Sequence, residues 1–206
     1  MGASGYTGAM SAAFRHQLVT PEAYLASELK SPTKHEYVGG AVYAMAGAKN
    51  IHNIIAGNVF LSLGTRLRGK KCRPFNSDTK VRVRFPNHVR FYYPDVQVVC
   101  QPNSVDESFQ DQPNVIVEVL SESTRRTDEG EKLDAYLTIP SLETYLLVDS
   151  TNKEVVVQQR GDNGFKRAVF VGDDGVIPLA CLGFDLPLAE IYEGVQLPAL
   201  EVVETE

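Results

Sequence analysis

Apolar residues recur every four positions at Ile51, Ile55, Val59, Leu63 and Leu67, with Ile54 beside them. That period predicts a long amphipathic helix over about residues 50–68, with Gly69 as its stop. His52 lies one position off the stripe, at the edge of the buried face. Upstream, Thr20-Pro21-Glu22 reads as a helix start, a capping hydroxyl followed by proline in the first turn. That helix ends near Leu29, before Ser31-Pro32. Next, Lys34-His35-Glu36-Tyr37-Val38 and Ala41-Val42-Tyr43-Ala44-Met45 flank Gly39-Gly40, a two-residue hairpin pattern. Alternation puts Glu36 and Val38 on one face of it, His35 and Tyr37 on the other.

Strand patterns follow. Lys80, Arg82 and Arg84 alternate with Val81, Val83 and Phe85, giving one cationic and one apolar face. Pro86-Asn87-His88 turns the chain, and apolar runs end at Cys100 and at Leu120 with a polar stretch over 101–113 between them, read as an exposed loop. A second helix is predicted over about 124–139, with Asp128, Lys132 and Tyr136 four apart on one face and Pro140 at its end. Three strands are expected at about 144–149, 154–160 and 165–171. From Pro178 the tail reads as irregular, with a short helical turn around 188–192. Many strands and two good helices predict a mixed α/β, α+β fold: one central mixed sheet flanked by helices, an N-terminal helix and hairpin, and additional C-terminal strands.

Length and composition keep this to one domain, expected over 18–198, after a disordered segment at 1–17 and before an acidic tail at 199–206. No apolar run reaches membrane-spanning length, and the first residues lack a secretory pattern. The cysteines (Cys72, Cys100, Cys181) are odd in number and widely spaced, which fits neither a disulfide framework nor zinc spacing and suggests a reducing cytoplasm. Net charge is −6, yet nine Lys and Arg fall between Arg66 and Arg90 against one acid, Asp78, and no Lys or Arg follows Arg167. One side of the protein is therefore a candidate for facing anions. Lys80, Arg82 and Arg84 could contact phosphates or pair with the acidic tail.

Two carboxylates interrupt apolar strand runs: Asp95 in Tyr93-Pro94-Asp95-Val96 and Glu118 in Val117-Glu118-Val119-Leu120. A carboxylate in such a run costs free energy unless something pairs with it. On neighbouring strands the two would share a face and a divalent ion, Mg²⁺ or Mn²⁺, with the Val119 carbonyl as a further ligand. Lys132, on the helix after the Glu118 strand, is the candidate cation for the attacking water. Its alternative is a simple pair with Asp128 on a solvated helix face. Glu36 is a candidate site acid or a partner for Lys34, and His52 a candidate contact to substrate.

These motifs in this order resemble the Uma2 family of restriction-endonuclease-like proteins, abundant in cyanobacteria, in the PD-(D/E)xK nuclease superfamily. The resemblance runs through Lys34–Gly47, His52-Asn53, Ser77-Asp78-Thr79-Lys80-Val81, the two acidic segments, Asp128 with Lys132 and Tyr136, and Tyr145-Leu146-Leu147-Val148-Asp149. It implies a nuclease-like core with Asp95 and Glu118 as metal-binding acids and Glu36 as an accessory acid. The superfamily pattern has lysine two residues after the second acid; here Leu120 stands there, and Lys132 matches a lysine moved to the following helix. The activity expected is Mg²⁺-dependent DNA cleavage, and a homodimer is expected because two sites related by symmetry most easily cut two strands. The rival readings are a nuclease-fold protein that binds nucleic acid or a partner protein without cleaving, and a hydrolase of small phosphodiesters.

Overall fold

Thr20 opens the first helix as its sequence requires. Its hydroxyl accepts the Ala23 N–H at 3.2 Å, and Pro21 begins α1 (Pro21–Glu28). The computed structural model describes residues 18–197; the expectations for 1–17 and 199–206 lie outside the described residues. β1 (His35–Val38) and β2 (Ala41–Ala44) pair through Gly39 and Gly40, whose φ values of 56° and 106° are the left-handed geometry such a turn demands. α2 (Asn50–Leu67) buries Ile55, Val59, Leu63 and Leu67, each contributing about 1.5–3 kcal/mol of burial free energy.

The chain continues with β3 (Arg73–Asn76), β4 (Lys80–Arg84), β5 (Val89–Tyr92), β6 (Val96–Val99), β7 (Phe109–Gln110) and β8 (Pro113–Leu120). Then come α3 (Arg125–Asp128), α4 (Glu131–Tyr136), β9 (Thr144–Asp149), β10 (Glu154–Gly161), β11 (Gly164–Val171), β12 (Val176–Leu179), β13 (Phe184–Pro187) and α5 (Leu188–Ile191). The single sheet expected from the pattern is instead two large sheets and a small one among the described strands. Their orders are β2-β1-β5-β4-β7, β11-β10-β9-β8-β6-β3, and β12-β13. The six-stranded sheet is mixed, with β8 and β9 parallel. The sheets stack. Val81, Val83 and Tyr92 of the first meet Ile116, Leu120, Tyr145 and Leu147 of the second, with Tyr136 of α4 in the same layer. On the far side of the six-stranded sheet, α2 and the β12–β13–α5 segment cover Val96, Val98, Val117 and Val119. On the outer face of the five-stranded sheet, Tyr24 of α1 packs with Tyr37, Phe91 and Phe109.

Four expectations need correcting. Residues 101–113 are not wholly an exposed loop: β7 is buried and runs parallel to β4. The helix expected over 124–139 breaks at Gly130, where a Cβ would lie 2.8 Å from the Arg126 carbonyl oxygen. The tail after Gly175 forms a hairpin before the short helix. Finally, Cys72 and Cys100 form a disulfide. The β3–β6 register pairs Arg73 with Val99, which sets the two cysteines opposite each other, a long-range pairing that spacing does not reveal. The cysteine pattern therefore carries no argument for a reducing compartment. No described helix is long and apolar enough to cross a membrane.

Candidate active site

β6 and β8 run antiparallel with Val96 opposite Val117, so one step further Asp95 faces Glu118. The Asp95 N–H approaches Glu118 Oε2 at 3.4 Å, and the Val119 N–H donates to Asp95 Oδ2 at 2.7 Å. Because strand side chains alternate, Val117 and Val119 enter the α2 core while Glu118 points the other way, between the sheets. There the Tyr136 hydroxyl donates to Glu118 Oε1 at 2.9 Å, and Lys132 Nζ donates to the same oxygen at 3.3 Å.

Lys132 has two further carboxylate neighbours, Glu36 of β1 at 3.1 Å and Asp128 at 3.2 Å. The two readings of Lys132 were not exclusive. It does pair with Asp128 at i,i+4 spacing, but the pair is buried rather than solvated. Glu36 is partnered by Lys132, whereas Lys34 pairs with the exposed Asp78 at 2.6 Å. The Tyr93 N–H also approaches Glu36 Oε1, at 3.5 Å. From the first turn of α2, His52 Nε2 lies 3.1 Å from Asp95 Oδ2, and its Nδ1 is buried without a hydrogen-bond partner. The fold thus brings Glu36, His52, Asp95, Glu118, Val119 and Lys132 together, from three strands and two helices.

The cationic strand face is placed differently. Val81 and Val83 turn into the inter-sheet core, so Lys80, Arg82 and Arg84 share the outer face, on which α1 packs, with β7 beside β4 at the edge of the same sheet. Lys80 is only 3% exposed and donates to the Tyr93 hydroxyl at 3.2 Å. Arg82 makes two 2.7 Å bonds to Asp111 and lies over the Phe109 ring. Arg84 alone of the three is open to solvent, at 3.4 Å from Asp111. The expectation of a phosphate-contacting face made by all three is corrected at Lys80, which is buried; Asp111 is the acidic partner of Arg82 and Arg84, and the tail at 199–206 lies outside the described residues. Elsewhere in the basic segment Arg66 of α2 pairs with Glu190 of α5.

Asp128, expected only as a rival partner for Lys132, and Tyr136, expected only on the same helix face, both join the cluster. Their shared spacing with Lys132 is the available clue, and the connection over 121–126 is short enough to fold the helix back over the end of β8, where Tyr136 and Lys132 meet Glu118.

Electrostatics sharpen the site. Burial pushes the Glu118 carboxyl well above the usual range; Lys132 pulls it down, while Asp128, Asp95 and Glu36 push it further up. Burial alone would depress the Lys132 ammonium, but Glu118, Glu36 and Asp128 outweigh it and hold it well above the usual lysine range. The His52 imidazole, which burial would lower, is raised by its hydrogen bond to Asp95. Four carboxylates therefore share one ammonium and one imidazole, a cluster short of positive charge. Among the described residues no three His, Cys, Asp or Glu side chains are set to enclose a metal ion. Two facing carboxylates nonetheless suit Mg²⁺ or Mn²⁺, which take one or two carboxylates and complete their shell with water and phosphate.

A solved structure from Anabaena variabilis, described as "a putative nuclease belonging to DUF820", superposes with a TM-score of 0.66. It covers 84% of this chain and 97% of its own at 16% identity, a likeness of fold. Two proteins of Synechocystis sp. (strain PCC 6803) are similar in sequence. Slr1290 is 33% identical over 86% of this chain and 93% of its own length. Sll1609 is 30% identical over 78% and 92%. The family model for Uma2, described as "Putative restriction endonuclease", matches residues 21–189. A family-model match over most of the chain settles the question: this chain belongs to Uma2.

Proposed function

We propose that the chain is a Mg²⁺-dependent endonuclease that hydrolyses DNA phosphodiester bonds, with Mn²⁺ as an alternative ion. The observation that carries this reading is the pairing of Asp95 and Glu118 across β6 and β8 with the Lys132 ammonium at Glu118. Asp95 and Glu118 would hold the ion, with the Val119 carbonyl as a further ligand. A bound divalent ion supplies Lewis-acid polarisation of the phosphate and a more acidic water. Lys132 contributes a fixed positive charge for the attacking water or the pentavalent phosphate. Tyr136 orients the Glu118 carboxylate through its hydroxyl. His52 holds Asp95 from the α2 side. The neutral layer around the cluster keeps these charges strong by excluding water. Two copies acting as a homodimer would cut both strands of a duplex.

A second reading has its own support. Leu120 occupies the usual lysine position, and Lys132 is enclosed by three carboxylates. On that reading the protein binds nucleic acid or a partner protein without cleaving. Plasmid nicking in Mg²⁺ or Mn²⁺ separates the two, with Asp95→Ala, Glu118→Ala and Lys132→Ala alongside the wild type. Cleavage lost in all three supports the endonuclease. Unchanged nicking in the variants refutes the site, and binding without nicking at any metal concentration favours the second reading.

A further inference from the structure

Glu118 has two demands on it: its Oε1 already accepts from Tyr136 and Lys132, and the proposed function asks the same side chain to hold a cation. If Glu118 were the main anchor of the ammonium, cation binding would loosen Lys132 at the moment it is needed. The other two carboxylates resolve this. Glu36 comes from the five-stranded sheet and Asp128 from α3, so the ammonium is held from two sides that do not involve β8. A lysine ammonium has three donors, and here it has three carboxylate neighbours.

Asp128 is built for that task. It is 2% exposed, and its Oδ1 lies 3.2 Å from Lys132 Nζ yet outside hydrogen-bond geometry, with no other partner. A buried carboxylate oxygen with no hydrogen-bond partner and an ammonium at ion-pair distance is costly unless that charge stays in place. Its backbone is pinned independently, because the Tyr145 hydroxyl donates to the Asp128 carbonyl at 3.0 Å. Gly130 then lets the chain break between α3 and α4 and still return Lys132 beside Asp128.

We propose that Asp128 is a positioning residue that, with Glu36, fixes the Lys132 ammonium in the site and leaves Glu118 free for the proposed cation. This rests on the endonuclease reading for its consequence, but not for its geometry. The test has two arms, on the full chain. The first follows exchange of the Lys132 side-chain ammonium protons with water by ¹H–¹⁵N NMR, without metal. Asp128→Asn is expected to speed exchange about tenfold or more, the loss of one charge-assisted contact, while Asp128→Glu keeps it slow. The second measures nicking at saturating DNA. Asp128→Asn is expected to lower the rate about 100-fold, as a small misplacement does, while DNA affinity is unchanged. Methylammonium restores nicking to Lys132→Ala and fails to do so in Lys132→Ala/Asp128→Asn. Exchange that stays slow in Asp128→Asn, or nicking at the wild-type rate, overturns the proposal. If the wild type itself does not cut, the endonuclease reading fails, and the exchange arm alone decides whether Asp128 holds the ammonium.

Discussion

Lys132 and Lys80 are buried almost equally, 6% and 3% exposed, and are held in opposite ways. Lys132 sits among three carboxylates that raise it well above the usual lysine range against the effect of burial. Lys80 has the hydroxyl of Tyr93 and the face of its ring, at 4.9 Å, and burial lowers it, with Glu28 opposing and Lys34 adding to the drop. Burial therefore does not mark a site; the surplus of charge around the buried group does. Around Lys80 the acids are already used, since Glu28 accepts from the Tyr93 hydroxyl and from the His35 backbone N–H. Around Lys132 they outnumber the cations. That surplus costs free energy in the protein alone, and the proposed divalent ion would offset it.

The largest test of the contrast removes the Lys132 charge. Lys132→Met leaves Glu36, Glu118 and Asp128 without their shared cation, and breaking a buried pair in this way costs about 3–5 kcal/mol. Urea unfolding at neutral pH measures it. A loss under about 1 kcal/mol would show that the cluster sheds its charge by protonation rather than by relying on Lys132.

A smaller loss comes from the break that delivers Lys132. Gly130→Ala puts a Cβ 2.8 Å from the Arg126 carbonyl oxygen, a backbone atom that cannot swing aside. Displacing α3 from α4 is expected to cost about 1–3 kcal/mol, with slower nicking. Thermal unfolding beside Gly57→Ala, at an exposed helix position with open space around it, isolates the effect.

How legible all this was from the chain depends on the range of the interaction. The Thr20 cap, the Gly39-Gly40 turn and the α2 stripe are local, and each formed where the pattern put it. The Asp95–Glu118 pairing was nearly local, since two strand runs joined by one connection became neighbours. What stayed hidden depends on distant partners. Nothing near Lys80 says that β7 will pair beside it or that its side chain will be buried against Tyr93. Nothing near Cys72 says that it will meet Cys100, and β7 is too short for a period to declare it. Asp128 was read as a surface residue because i,i+4 spacing describes a helix face but not what that face packs against.

The two tyrosines extend the comparison at a smaller scale. Tyr136→Phe removes a hydroxyl that donates to the buried Glu118 carboxylate, and Tyr93→Phe removes one that bridges Glu28 and Lys80. Each is expected to cost about 1–3 kcal/mol, the range for a buried polar group that loses its partner. On the proposed endonuclease reading the difference lies in function: Tyr136→Phe is expected to slow nicking, whereas Tyr93→Phe is expected to act on stability. Urea unfolding and nicking on the same preparations separate them, and a nicking defect confined to Tyr93→Phe would reverse the assignment of the two clusters.

The smallest effect is expected at Lys80 itself, and its dependence on pH is the informative part. Lys80→Met exchanges an ammonium with one hydroxyl partner for an apolar chain of similar length, so stability at pH 7 should be unchanged or higher by about 1 kcal/mol. Because burial lowers the folded-state pKa of Lys80 below its unfolded value, the folded protein releases this proton first as pH rises. Wild-type stability therefore improves relative to Lys80→Met across the window from the lowered folded value up to the ordinary lysine pKa of about 10.4. The advantage of Lys80→Met is largest below that window and shrinks through it. Urea midpoints taken between neutral pH and the lysine range decide the matter. An advantage that widens with pH would mean that Lys80 is held charged, as Lys132 is, and would place a second charged lysine site on the α1 side of the five-stranded sheet.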